Sequence, residues 1–111
     1  MAAVAIDCAF HAEASLNTNF TESADGVRIA YDRIGKGPAV VLIHGGGSNR
    51  QVWHDIGYVD RLKDHFTVIT LDLRGHGESD LPTEVGDYTP EKLCADILGV
   101  SNACGFEYFS I

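Results

Sequence analysis

Two glycine-rich stretches hold the residues whose types and spacing suit chemistry. The first is His44-Gly45-Gly46-Gly47, directly after the apolar run Ala39-Val40-Val41-Leu42-Ile43. Consecutive glycines let backbone N–H groups approach a bound group with no Cβ in the way. Donors held like this stabilise an oxyanion, commonly by about 2.7–4 kcal/mol per donor in acyl transfer. The same glycines also suit a tight strand-to-helix turn that binds nothing, and on their own they do not choose between the two. The second stretch is Asp72-Leu73-Arg74-Gly75-His76-Gly77-Glu78-Ser79, which follows another apolar run from Phe66 to Leu71.

Other chemistries fit poorly. The histidines at 11, 44, 54, 65 and 76 are spread singly and form no H-E-x-x-H, so no metal site is expected. A dinucleotide fingerprint needs G-x-G-x-x-G, but Arg50 and Asp80 stand where the third glycine would fall in the two stretches. No G-K-[ST] occurs for a phosphate loop. The net charge of −8, from 16 acidic and 8 basic residues, argues against nucleic-acid and anionic-membrane partners, which need clustered Lys and Arg. Cys8, Cys94 and Cys104 make an odd set. Cys94 and Cys104 fall on one expected helix about 15 Å apart, too far for a disulfide. A reducing, cytoplasmic compartment is the expectation.

These loops need elements to position them. Phe20–Ser23 and Val27–Ile34 read as strands joined by Ala24-Asp25-Gly26, an Asp-Gly hairpin signal. Ala39–Ile43 has no polar residue, as in a strand buried on both faces. Asn49–Asp64 is expected to be helical, although Gly57 interrupts it. Phe66–Leu71 reads as a further strand. Thr89-Pro90-Glu91 starts a helix with an N-cap, a proline at the first position and an acid at the positive end of the dipole. Its stripe is Leu93, Ile97, Val100 and Cys104, and Gly105 suits its end. Phe106–Ile111 begins another strand. The order β-β-β-α-β-α-β predicts an α/β fold with a mostly parallel sheet, helices on both faces and a leading antiparallel hairpin. Residues 1–19 read as a weakly ordered leader, without the basic start of a signal peptide.

Gly37-Pro38 before the strand, His44-Gly45-Gly46-Gly47 after it, and the Asp72–Ser79 stretch after the next strand resemble the α/β-hydrolase superfamily. The resemblance runs from about residue 20 to residue 111. It implies that the Gly46 N–H forms half of an oxyanion hole, with His44, Gly45 and Gly47 shaping the loop. Asp72 and Arg74, with Gly75 and Gly77, are expected to hold the second loop against the His44 turn. His76 is expected to fill a turn rather than act in catalysis. The family's nucleophile sits in a G-x-S-x-G elbow after the next strand, followed in chain order by an acid and a histidine. Ser48 and Ser79 are the nearest approaches, but Arg50 and Leu81 break the pattern. No catalytic triad residue is therefore expected within these 111 residues, and the apolar Ala39–Ile43 edge would need the remainder of the domain to cover it.

Gly47 stands where aspartate-nucleophile relatives usually carry proline. That favours the serine-nucleophile branch, and the resemblance then implies a serine hydrolase of small ester-like substrates that needs no cofactor. The alternatives are a hydrolase-fold receptor or partner protein without catalysis and, from another class, a dinucleotide-binding domain.

Overall fold

The structure, a computed structural model, describes residues 18–107. Residues 1–17 of the leader expected over 1–19, and the last four residues of the expected final strand, lie outside them, while Asn19 already belongs to the first strand. Strands β1 (Asn19–Glu22) and β2 (Arg28–Gly35) form the leading hairpin. Its turn is closed by Gly26 N–H to Ser23 O at 2.9 Å, with Gly26 at φ +86°. Strand β3 (Ala39–Ile43) leads to helices α1 (Gln51–Asp55) and α2 (Tyr58–Leu62), then to strand β4 (Thr67–Leu71). A 3-10 turn (Val85–Tyr88) precedes helix α3 (Pro90–Ala103).

The strands are ordered β1-β2-β4-β3 in one sheet. The α/β class is as expected, but the balance of the sheet is not. Among the described residues β1/β2 and β2/β4 are antiparallel, and only β3/β4 is parallel. The reason lies in the short link after β2. Residues 36–38 cross the start of β4, which inserts between β2 and β3. Thr67 donates its N–H to Pro38 O at 2.9 Å and its hydroxyl to Gly37 O at 2.8 Å. A Cβ at Gly35 would lie 2.3 Å from Phe66 O, and one at Gly37 would lie 2.4 Å from His65 O. Glycine is thus required by close backbone approach as well as by its positive φ.

All five residues of β4 are buried, so both faces of that strand are covered. Ile69 and Leu71 join Ile29, Ala39, Val41, Val100 and Cys104 in one core. Val100 brings α3 onto that face, while α2, anchored by buried Val59, also packs on β4. The start of α3 follows its sequence signals, with the Thr89 hydroxyl accepting from Lys92 N–H at 3.3 Å. At its end Gly105 adopts φ +82°, and Phe106 N–H reaches Ser101 O at 3.0 Å. That bond satisfies a carbonyl the helix leaves open. The helix expected over 49–64 is two helices. Gly57 takes φ +87° and donates to His54 O at 3.2 Å, which ends α1 and turns the chain into α2. Phe106 and Glu107 are not in a strand, and residues 108–111 lie outside the described residues.

Candidate functional site

Parallel pairing decides where the two glycine loops meet. Ile43 pairs in register with Leu71, so residues 44–50 and 72–80 leave the sheet side by side at the same strand ends. Ligands of open α/β sheets bind at that end.

His44 is buried and braces both loops. One ring nitrogen, Nδ1, lies 2.7 Å from Gly45 O, and the other, Nε2, receives the Leu73 N–H at 3.1 Å. A carbonyl only accepts and an N–H only donates, so the ring carries its proton on Nδ1. His76 makes the reverse connection. Its Nε2 accepts from Gly47 N–H at 3.2 Å, while its Nδ1 faces Arg74 O at 3.1 Å. The two rings stand 4.9 Å apart, each loop sending an imidazole to a backbone N–H of the other.

Between them Gly45–Ser48 forms a turn closed by Ser48 N–H to Gly45 O at 3.2 Å. Gly47, third in the turn, has φ +78°, the value that position takes in a type II turn. Gly45 and Gly46 are different. Neither has a positive φ, and a Cβ added at either meets no atom within 4 Å. Packing among the described residues gives no reason for glycine there. The Gly45 carbonyl is held by His44, and a planar trans peptide then aims the Gly46 N–H the opposite way.

Asp72, 1% exposed, ties the second loop to the first. It accepts from Arg50 N–H at 2.7 Å, from Glu78 N–H at 2.9 Å, and from the Arg50 guanidinium. Gly77, at φ +51°, leaves the space this carboxylate fills, since a Cβ there would lie 2.2 Å from Asp72 Oδ2. Arg50 was not legible as a site residue. It also reaches Asp32 at 3.0 Å and Glu78 at 2.8 Å. Burial disfavours its charge, but the carboxylates of Glu78, Asp32 and Asp72 outweigh that and hold its pKa above the usual arginine value. The available signal is a basic residue three positions after the last glycine of the loop, at the start of the helical segment.

Arg74 requires a correction. It does not face the His44 turn. Its fully buried guanidinium points to Asp96 of α3 and Asp25 of the β1–β2 turn, and also donates to Asp87 O at 2.9 Å. Gly75, at φ +81°, packs against Tyr88 on that side. Arg74 therefore fastens the second loop to the hairpin and α3, while Asp72 and the two histidines fasten it to the first loop.

Among the described residues, no group of three or more His, Cys, Asp or Glu side chains is placed to hold a metal ion. No helix among them is long and apolar enough to cross a membrane. A groove of about 540 Å³ lies at the β1 edge against α3, lined by Thr21, Glu22 and Leu98, and includes no residue of the glycine loops.

A family model of the α/β hydrolase fold matches residues 38–107, from the residue before β3 to the last described residue. The chain belongs to the α/β-hydrolase family. It is 36% identical over 73 residues to an uncharacterised hydrolase of Bacillus subtilis, covering 66% of this chain and 26% of that protein. Its fold matches an epoxide hydrolase from hot-environment metagenomes with TM-score 0.76 and 26% identity, covering 83% of this chain and 31% of that one. It also matches an esterase from Exiguobacterium antarcticum with TM-score 0.68 and 31% identity, covering 78% and 31%. The chain thus spans about a quarter to a third of the length of these relatives.

The Arg74 cluster gives this hydrolase-family chain a defined acid response. The side-chain hydrogen bond from Arg74 holds the Asp25 carboxyl down at about 2, against an ordinary 3.8. A carboxyl depressed in the folded state contributes stability that is complete above its unfolded value and lost as the pH falls toward its folded one. This contribution is expected to vanish between about pH 4 and pH 2. Melting curves across that window should fall less steeply for Asp25→Asn than for the parent chain; equal slopes would contradict the assignment.

Proposed function

We propose that residues 20–111 form the N-terminal part of the catalytic domain of a serine hydrolase, and that Gly46 N–H is one of its oxyanion donors. The substrate would be a small ester-like molecule. A serine outside these 111 residues attacks the carbonyl, the oxyanion rests partly on Gly46, and an acyl-enzyme is then hydrolysed by water. The remainder of the domain is the partner that completes the site. A cytoplasmic setting belongs to the same proposal and suits the free thiols Cys94 and Cys104.

The observation that carries the reading is that Gly45 and Gly46 are glycine without a local packing reason. Both have open space where a Cβ would sit, beside an N–H aimed away from the turn. That arrangement suits close approach of a ligand oxygen. Gly47 in place of proline favours the serine branch over the aspartate branch, and the matched proteins include an esterase as well as epoxide hydrolases.

The test is hydrolysis of p-nitrophenyl acetate by two proteins. The 111-residue chain is expected to be no faster than buffer. The longer gene product is expected to turn over, using a serine in a Gly-x-Ser-x-Gly turn beyond Ile111. Turnover by the short chain that disappears on Ser48→Ala would overturn the placement of the nucleophile. A longer product with neither turnover nor such a serine would favour a non-catalytic binding role for the fold.

A further inference from the structure

We propose that His76 is a positioning residue that locks the Gly46–Gly47 peptide and withdraws Gly47 N–H from the loop's donors. This rests on the reading of Gly46 as an oxyanion donor and assigns the residue that makes Gly46, rather than its neighbour, the available one.

A run of glycines offers several N–H groups of similar freedom. Here the N–H groups at 47 and 48 are committed, one to His76 Nε2 at 3.2 Å and the other to Gly45 O at 3.2 Å. The weak point of such a turn is its central peptide. Type I and type II turns differ mainly by a flip of that unit, and a Gly-Gly pair accepts either dihedral set. In this turn the central peptide joins Gly46 to Gly47, and its N–H faces His76. A flip would bring the Gly46 carbonyl oxygen toward Nε2, acceptor against acceptor, and reverse the peptide dipole next to the Gly46 N–H. His76 can impose this because its own ring is fixed. Nδ1–H is engaged by Arg74 O at 3.1 Å, which leaves Nε2 as the acceptor, and the ring stands 4.9 Å from His44. The His76 N–H also donates to Leu73 O at 3.0 Å, anchoring the backbone that carries it.

The experiment is amide hydrogen exchange by NMR on the 111-residue chain, comparing the parent with His76→Phe and His76→Gln. Phenylalanine keeps a ring but has no acceptor; glutamine restores an acceptor oxygen. Gly47 is expected to exchange more slowly than Gly46 in the parent. In His76→Phe its exchange should rise by about tenfold, with Ile69 and Leu71 of β4 unchanged, and His76→Gln should recover part of the protection. Three results would overturn the lock: unchanged Gly47 exchange in His76→Phe, equal acceleration of Ile69 and Leu71, or a glutamine variant no better than phenylalanine. The underlying reading is tested separately by the activity of Gly46→Pro. Loss of the exchange effect with Gly46 still essential removes His76 alone. A clear exchange effect with Gly46 dispensable leaves the lock standing and removes the oxyanion role.

Discussion

Arg74→Ala is expected to lower the unfolding free energy of the chain by about 3–5 kcal/mol, the usual consequence of breaking a buried ion pair by removing one partner. Asp96 is fully buried, and Arg74 meets it through Nε at 2.9 Å and Nη2 at 2.6 Å. Removing the guanidinium leaves that carboxylate without its cation where water cannot replace it. Arg74→Lys should recover little, because one ammonium cannot reproduce a planar fork that serves Asp96, Asp25 and the Asp87 carbonyl together. Arg74→Met with Asp96→Leu should recover much of the loss, since an apolar pair replaces a buried ionic one at small net cost. Urea unfolding of the three variants measures this. A single variant that loses under about 1 kcal/mol, or a double variant as unstable as Arg74→Ala, would show that the pair is not the fastening it is taken to be.

The second large effect concerns activity with the fold left intact. On the proposed serine-hydrolase reading, Gly46→Pro in a protein that carries the remainder of the domain is expected to lower kcat by about 10²–10³-fold, the usual cost of losing one oxyanion donor. Stability should be nearly unchanged. Gly46 is the second residue of a type II turn, the position that favours proline, and the turn is closed by Ser48 N–H rather than its own. No atom lies within 4 Å of a Cβ built there. Gly47→Ala is the contrasting control. It keeps the Gly46 N–H but forces a side chain to φ +78°, so it should cost stability by about 1 kcal/mol. Steady-state kinetics and thermal melting of both variants separate the effects. Full activity in Gly46→Pro would remove the oxyanion role.

Local pattern alone determined the hairpin at Asp25-Gly26, the apolar strands β3 and β4, and the start of α3 at Thr89-Pro90. Each follows from φ preference, capping or burial within a few residues. The two glycine motifs after successive strands were sufficient to place the chain in its family, and the resemblance they carry singles out Gly46 for the proposed oxyanion role. Tertiary structure decided the rest, because it depends on groups far apart in sequence. Insertion of β4 between β2 and β3 follows from how residues 36–38 pack on 63–67, so it was invisible to strand periodicity. Arg50 read only as a residue that spoils a motif until folding brought Asp32, Asp72 and Glu78 around it. Arg74 looked like a brace for the neighbouring loop, yet the buried carboxylate on α3 claims it. The crossed contacts of His44 and His76 exist only because parallel register sets Ile43 beside Leu71. A side chain's type is written in the sequence, but its direction is set by the charge and space that distant segments bring to it.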